Sequence, residues 1–156
     1  MRPAHRGSGD DLLVGDFFSN DSTQNTPGAS LADSSADPTR LFEDTLIGGA
    51  GSDTLWGGRG ADIMTGGTGS DHFVWSSDDL SFLPDSYDRI TDFSLQDVLD
   101  LRPLFAENYV ESSIELTRIG NSTLVQINGA EAIKLDGFTT SLNVHDLIDD
   151  GVILIA

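Results

Sequence analysis

The chain has no cysteine, only 8 lysine and arginine side chains, and no apolar run long enough to cross a bilayer. Without cysteine there is neither a disulfide framework nor a thiol nucleophile. The scarcity of basic residues, set against 26 acidic ones, leaves a net charge of -18. Such a balance argues against nucleic acid and against an anionic membrane surface as partners. It also opposes compaction by self-repulsion unless cations neutralise it. The opening MRPAHRGSGD has no apolar core of a leader, so no cleaved N-terminal signal peptide is expected. There is no HExxH and no GxSxG, and His5, His72 and His145 lie far apart. We therefore expect no enzyme in this chain. Its 156 residues suffice for one domain with a modest core.

What is abundant is glycine, 17 residues, and it is concentrated. Residues 48–74 read GGAGSDTLW, GGRGADIMT, GGTGSDHFV, three consecutive units of G-G-x-G-x-D-x-U-x, where U is large and apolar. The glycines are Gly48, Gly49 and Gly51, then Gly57, Gly58 and Gly60, then Gly66, Gly67 and Gly69. The aspartates are Asp53, Asp62 and Asp71, and the U positions are Leu55, Met64 and Phe73. Glycine reaches positive φ without a Cβ clash, so each unit can open with a tight turn that exposes carbonyl oxygens. The aspartate adds a carboxylate. Carbonyl and carboxylate oxygens together are the ligand set of a hard cation such as calcium. The last three residues of a unit make a short strand with only its middle side chain inward. A flexible Gly/Asp linker is the competing reading, but linkers show composition without strict period.

These units resemble the RTX calcium-binding repeats, whose nonapeptide is a known repeat signature. The resemblance implies an all-β fold: a short parallel β-roll, two nonapeptides per winding, capped by a C-terminal antiparallel meander with one or two short helices. Units two apart then stack, placing Asp53 beside Asp71 and Asp44 beside Asp62. Asp44 belongs to a degenerate unit, TRLFEDTLI at 39–47, which lacks the glycines. About two calcium ions are expected between stacked loops. The expected ligands are Gly49, Gly51 and Asp53, Gly58, Gly60 and Asp62, Gly67, Gly69 and Asp71, with Asp44. Asp88, in the DRITDF run that resembles the segment after the repeats in type I secreted proteins, is the candidate for a last site below Asp71. The competing reading of Asp88 is a turn-forming or solvated side chain.

Along the chain, RGSGDDLLV at 6–14 is a further degenerate unit with Asp11 and Leu13 in place. It is out of phase, 33 residues separating Asp11 from Asp44. It either docks as a cap or ends a longer array. Residues 17–38 are rich in Ser, Asp, Thr, Asn and Pro without period and read as a loop or disordered insertion. The roll is assigned to 39–74, and 75–156 to the capping and secretion-target region, with 75–86 leaving the roll and a helical turn near 98–106. Strands are expected at 113–119, 122–127 and 131–138, the last two joined by Asn128-Gly129, a hairpin signal. Residues 141–150 read as a short helix capped by Ser141 or Asn143 and ended by Gly151. The closing VILIA reads as a core strand, and after the acidic pair it also resembles the uncleaved signal of type I secretion. The resemblance implies export by a type I machinery with its ABC transporter, an extracellular or cell-surface location, and attachment to a large adhesin. A secreted enzyme (a serralysin-like protease or an alginate epimerase) and a free-standing calcium-binding surface protein are the alternatives.

Overall fold

A computed structural model describes residues 4–5, 9, 12–14, 44–76, 87–105 and 114–155. The chain winds as a flattened coil whose turns alternate between two sheets. One sheet runs β1 (Ala4–His5), β3 (Thr45–Ala50), β5 (Ile63–Thr68), β7 (Asp88–Ile90), then β11 (Ala130–Leu135), β10 (Ser122–Ile127) and β9 (Ile114–Ile119). The other runs β2 (Leu12–Val14), β4 (Thr54–Trp56), β6 (His72–Val74), β8 (Val98–Asp100) and β12 (Ile153–Leu154).

Strand alternation puts the U positions inside. Leu46, Met64 and Ile90 are register neighbours in the first sheet, and Leu13, Leu55, Phe73 and Leu99 in the second. All seven are buried and belong to one core. Each contributes about 1.5–3 kcal/mol by burial, which is what holds such short strands together.

The coil is longer than the glycine pattern. It continues past Val74, where the sequence reading leaves the roll, and makes another winding through β7 and β8. Intact windings pair residues 18 apart, as Leu46 with Met64. Met64 and Ile90 pair 26 apart, so eight residues more than one winding separate them. The N-terminal unit also joins the coil. Leu13 pairs with Leu55, 42 residues on, which exceeds one winding by 24. Its phase with the array is lost in residue count but kept in space. The assigned insertion at 17–38 and the candidate Asp11 lie outside the described residues.

The meander forms where the alternation placed it. Asn128 and Gly129 both have positive φ, 53° and 78°, as a two-residue hairpin turn requires. β11 pairs in parallel with β7 and so prolongs the first sheet. Phe93 and Phe138 pack edge to face, centroids 5.1 Å apart, and join coil to meander. Residues 98–100 give β8, and the helical turn expected near 98–106 is confined to 101–105, where the Leu104 and Phe105 N–H groups both donate to the Leu101 carbonyl. Among the described residues the α-helix is α1 (Val144–Asp149), capped by Asn143 through a reciprocal bond with Asp146. Leu147 is its buried side chain. No helix among the described residues is long and apolar enough to cross a membrane.

Candidate metal centre

The loops that carry glycine fall on two edges of the coil. Loops 48–53 and 66–71 lead from the first sheet to the second and lie on one edge; loop 57–62 leads back and lies on the other. Gly49, Gly51, Gly58, Gly60, Gly67 and Gly69 all have φ between 87° and 146°. They are the second and fourth positions of each unit.

The first position needs glycine for a different reason. A Cβ on Gly48 would lie 2.5 Å from Asp53 Oδ2 and from the Gly66 carbonyl oxygen, and one on Gly57 would lie 2.5 Å from Asp62 Oδ2. Each aspartate is thus folded back under the opening glycine of its own unit. On the shared edge Gly49 is level with Gly67, and the Gly51 N–H donates to the Thr68 carbonyl at 2.9 Å. The N-terminal Gly9 repeats this geometry, with φ 115° and its N–H on the Ala50 carbonyl at 2.7 Å.

The aspartates form two columns. In one, the Asp44 N–H donates to Asp62 Oδ1 at 2.7 Å and the Asp62 N–H to Asp88 Oδ1 at 2.8 Å. In the other, the Asp53 N–H donates to Asp71 Oδ1 at 2.9 Å and the Asp71 N–H to Asp97 Oδ1 at 3.0 Å. The pairs Asp44/Asp62 and Asp53/Asp71 stand as the repeat spacing places them. Asp88 does not lie below Asp71. It lies below Asp62, on the opposite edge, and Asp97 takes the position expected for it. The sequence carried a signal for this: Asp88-Arg89-Ile90 and Asp97-Val98-Leu99 repeat D-x-U nine residues apart. Asp92 was missed as well. Its carboxylate accepts from the Gly66 N–H at 3.0 Å and the Gly67 N–H at 2.8 Å.

Do these residues fit calcium? Asp53, Asp62 and Asp71 are nearly inaccessible, at 1%, 0% and 2% exposure. Buried carboxylates are costly unless paired with charge or hydrogen bonds. Asp53 and Asp62 make other contacts, yet no hydrogen bond reaches their buried Oδ2 atoms. Among the described residues no three His, Cys, Asp or Glu side chains converge. A site here would therefore combine carboxylates with glycine-turn carbonyls, the donor mix of calcium rather than of zinc. The shared edge, with two stacked glycine loops and Asp53 over Asp71, fits. Loop 57–62 has one glycine-rich member only; its neighbour before Asp44 lies outside the described residues.

Burial raises the Asp71 carboxyl above its ordinary 3.8, assisted by the Asp97, Asp53 and Asp92 charges and opposed by the Asp53 N–H bond. The metal-free folded chain therefore binds this proton more tightly than the unfolded chain. Stability falls as pH rises from 3.8 through the raised native value. Acid should partly replace a cation. In chelator, far-UV circular dichroism is expected to show more β-structure at about pH 5 than at pH 7. Asp71→Asn should shrink that increment, and an increment unchanged in the variant would assign it elsewhere.

A coil of this kind, with stacked Gly-Asp turns on its edges and a line of apolar residues inside, defines a β-roll of nonapeptide repeats. Residues 41–73 match the family model of the RTX calcium-binding nonapeptide repeat, in four copies, so this segment is an RTX array. Two solved structures are similar over the whole length. One is the AlgE6R3 subunit of the Azotobacter vinelandii mannuronan C5-epimerase, at 25% identity and TM-score 0.53, covering 100% of this chain and 87% of that one. The other is the AlgE6R2 subunit of the same enzyme, at 23% identity and TM-score 0.55, covering 99% and 93%. Comparison with curated proteins gives no match.

Proposed function

We propose that this chain is a calcium-binding module, exported unfolded by a type I secretion machinery and folded by the calcium it meets outside. The observation that carries the reading is the pair of stacked glycine loops, 48–53 and 66–71, with Asp53 and Asp71 buried one over the other. The residues that would hold the ion are Gly49, Gly51, Asp53, Gly67, Gly69 and Asp71. Gly58, Gly60, Asp62 and Asp44 form the weaker candidate on the other edge. What a bound calcium supplies is positive charge shared among six to eight oxygens.

The chain's own part is electrostatic. With a net charge of -18 and its repeat carboxylates buried in columns, the roll repels itself. In a compartment poor in calcium this keeps the chain extended, as an export channel requires. A ligand that binds only the folded state stabilises it by mass action. Extracellular modules bind at roughly 10⁻⁴ to 10⁻³ M, so the response would fall at external calcium levels. The C-terminal Ile153–Leu154 strand, which resembles the type I signal, would be read by the ABC transporter before it pairs with β8.

Attachment to an adhesin has no specific support among these observations. The likeness to the epimerase subunits favours a second reading, in which the module accompanies a secreted enzyme that acts on a polysaccharide.

Both readings share the calcium step, which circular dichroism tests. Titrating the purified chain should give a coil-to-β transition near 10⁻³ M calcium and none with magnesium at the same concentration. A chain equally folded in chelator would overturn calcium-gated folding.

A further inference from the structure

We propose that the last winding, residues 87–100, binds no cation and that Trp75 and Ser94 hold its buried aspartates in place of one, a step that takes the calcium-module reading as given. Three carboxylates of this winding face the repeats, and protein donors reach both oxygens of each. Asp88, 3% exposed, accepts the Asp62 N–H on Oδ1 and the Trp75 indole Nε1–H on Oδ2, the latter at 2.6 Å between two buried side chains. Asp97, 6% exposed, accepts the Asp71 N–H on Oδ1, and on Oδ2 both the N–H and the hydroxyl of Ser94, at 2.7 and 3.0 Å. Asp92 takes the Gly66 and Gly67 amides, one on each oxygen. Asp88 and Asp97, the two that are buried, are thereby already compensated, while Asp92 is exposed.

The backbone points the same way. No residue of 87–100 has positive φ, and the loop at 91–97, TDFSLQD, contains no glycine. It cannot make the left-handed turns that set the carbonyls of loops 48–53 and 66–71. The winding keeps the shape and the aspartate columns of the repeat and replaces the ion with N–H and O–H groups. The cation array then ends at loop 66–71, and Asp88, an attractive ligand by sequence, is a hydrogen-bond acceptor for an indole.

The test counts ions on the full chain. Equilibrium dialysis in saturating calcium gives the number bound to folded wild type. Trp75→Phe, Asp88→Asn and Ser94→Ala should keep that number while melting earlier, whereas Asp71→Asn should lose at least one ion. A Trp75→Phe or Asp88→Asn chain that folds and binds one ion fewer would overturn the assignment. Should those variants not fold, the wild type decides. It has two tryptophans, so its two indole N–H signals can be assigned with Trp56→Phe. In calcium the Trp75 signal should exchange with solvent far more slowly than the indole signal of the chain unfolded in denaturant; exchange at the unfolded rate would overturn the link. Wild type that takes up no calcium is a distinct result: it sinks the module reading, while the indole exchange still judges the Trp75–Asp88 bond.

Discussion

Gly69→Ala is expected to leave the chain unfolded at calcium concentrations that fold the wild type. Gly69 has φ 137°, a backbone state that L side chains rarely adopt, and its added Cβ would run into the Gly51 carbonyl of the winding stacked on it. The strained backbone costs about 1–3 kcal/mol. Relieving the clash must push two windings apart, which endangers the Gly51 N–H bond to Thr68, worth about 1 kcal/mol. Backbone cannot swing away as the end of a flexible side chain can. The total is about 3 kcal/mol or more, and each 1.4 kcal/mol is tenfold in an equilibrium constant. If one ion is coupled to folding, the calcium midpoint should rise by about a hundredfold. Gly120→Ala is the control. Its φ is 62° and a Cβ there meets nothing within 4 Å, so the cost is about 1–2 kcal/mol and the shift about tenfold. Both midpoints can be read by circular dichroism. A Gly69→Ala chain folding at the wild-type midpoint would mean that loops 48–53 and 66–71 do not stack as described.

Where the sequence was legible, a physical constraint acted at fixed spacing. Positive φ at the second and fourth positions of a unit admits glycine, and a buried U position admits a large apolar side chain. Together they gave the roll, the inward residues, and the 18-residue pairing of Asp44 with Asp62 and of Asp53 with Asp71. The last winding was not legible from glycine because it does without glycine turns. Its aspartates stand 26 residues from their partners instead of 18, so the 17-residue step from Asp71, close to one winding, misplaces Asp88. The D-x-U spacing within 88–99 survives, since strand pairing preserves it whatever the chain does between strands. The N-terminal unit follows the same logic: residue count lost its phase, while the pairing of Leu13 with Leu55 kept it. Alternation found the three meander strands, but it reports which side chains share a face and not which strands are neighbours. The parallel join of β11 to β7 therefore came from the fold alone. The bond from Trp75 to Asp88 was hidden for the same reason, because it depends on how the chain returns between β6 and β7.

Phe73→Ala should remove more stability than calcium can restore, because each short strand of this coil puts one large side chain into the core. Phe73 is fully buried, its register neighbour in β4 is Leu55 and in β8 Leu99, and its ring sits 6.1 Å from that of Phe93. Phe93 in turn meets Phe138, so the same column ties the repeats to the meander. Truncating a buried phenylalanine costs about 3–5 kcal/mol. One site at a free calcium concentration a hundred times its Kd returns about 2.7 kcal/mol. On the proposed reading the metal-free chain is unfolded and the site between loops 48–53 and 66–71 supplies its net stability, so a loss larger than that return leaves a deficit. Phe73→Ala is thus expected to stay largely unfolded in 10 mM calcium, taking that as a hundred times a Kd of about 10⁻⁴ M. Leu12→Ala, beside the buried column but 56% exposed, should change stability by less than about 0.5 kcal/mol. Thermal melts in calcium distinguish the outcomes. If Phe73→Ala is fully rescued by calcium, the ions and not the apolar column hold the roll together, and the strands serve only to space the loops.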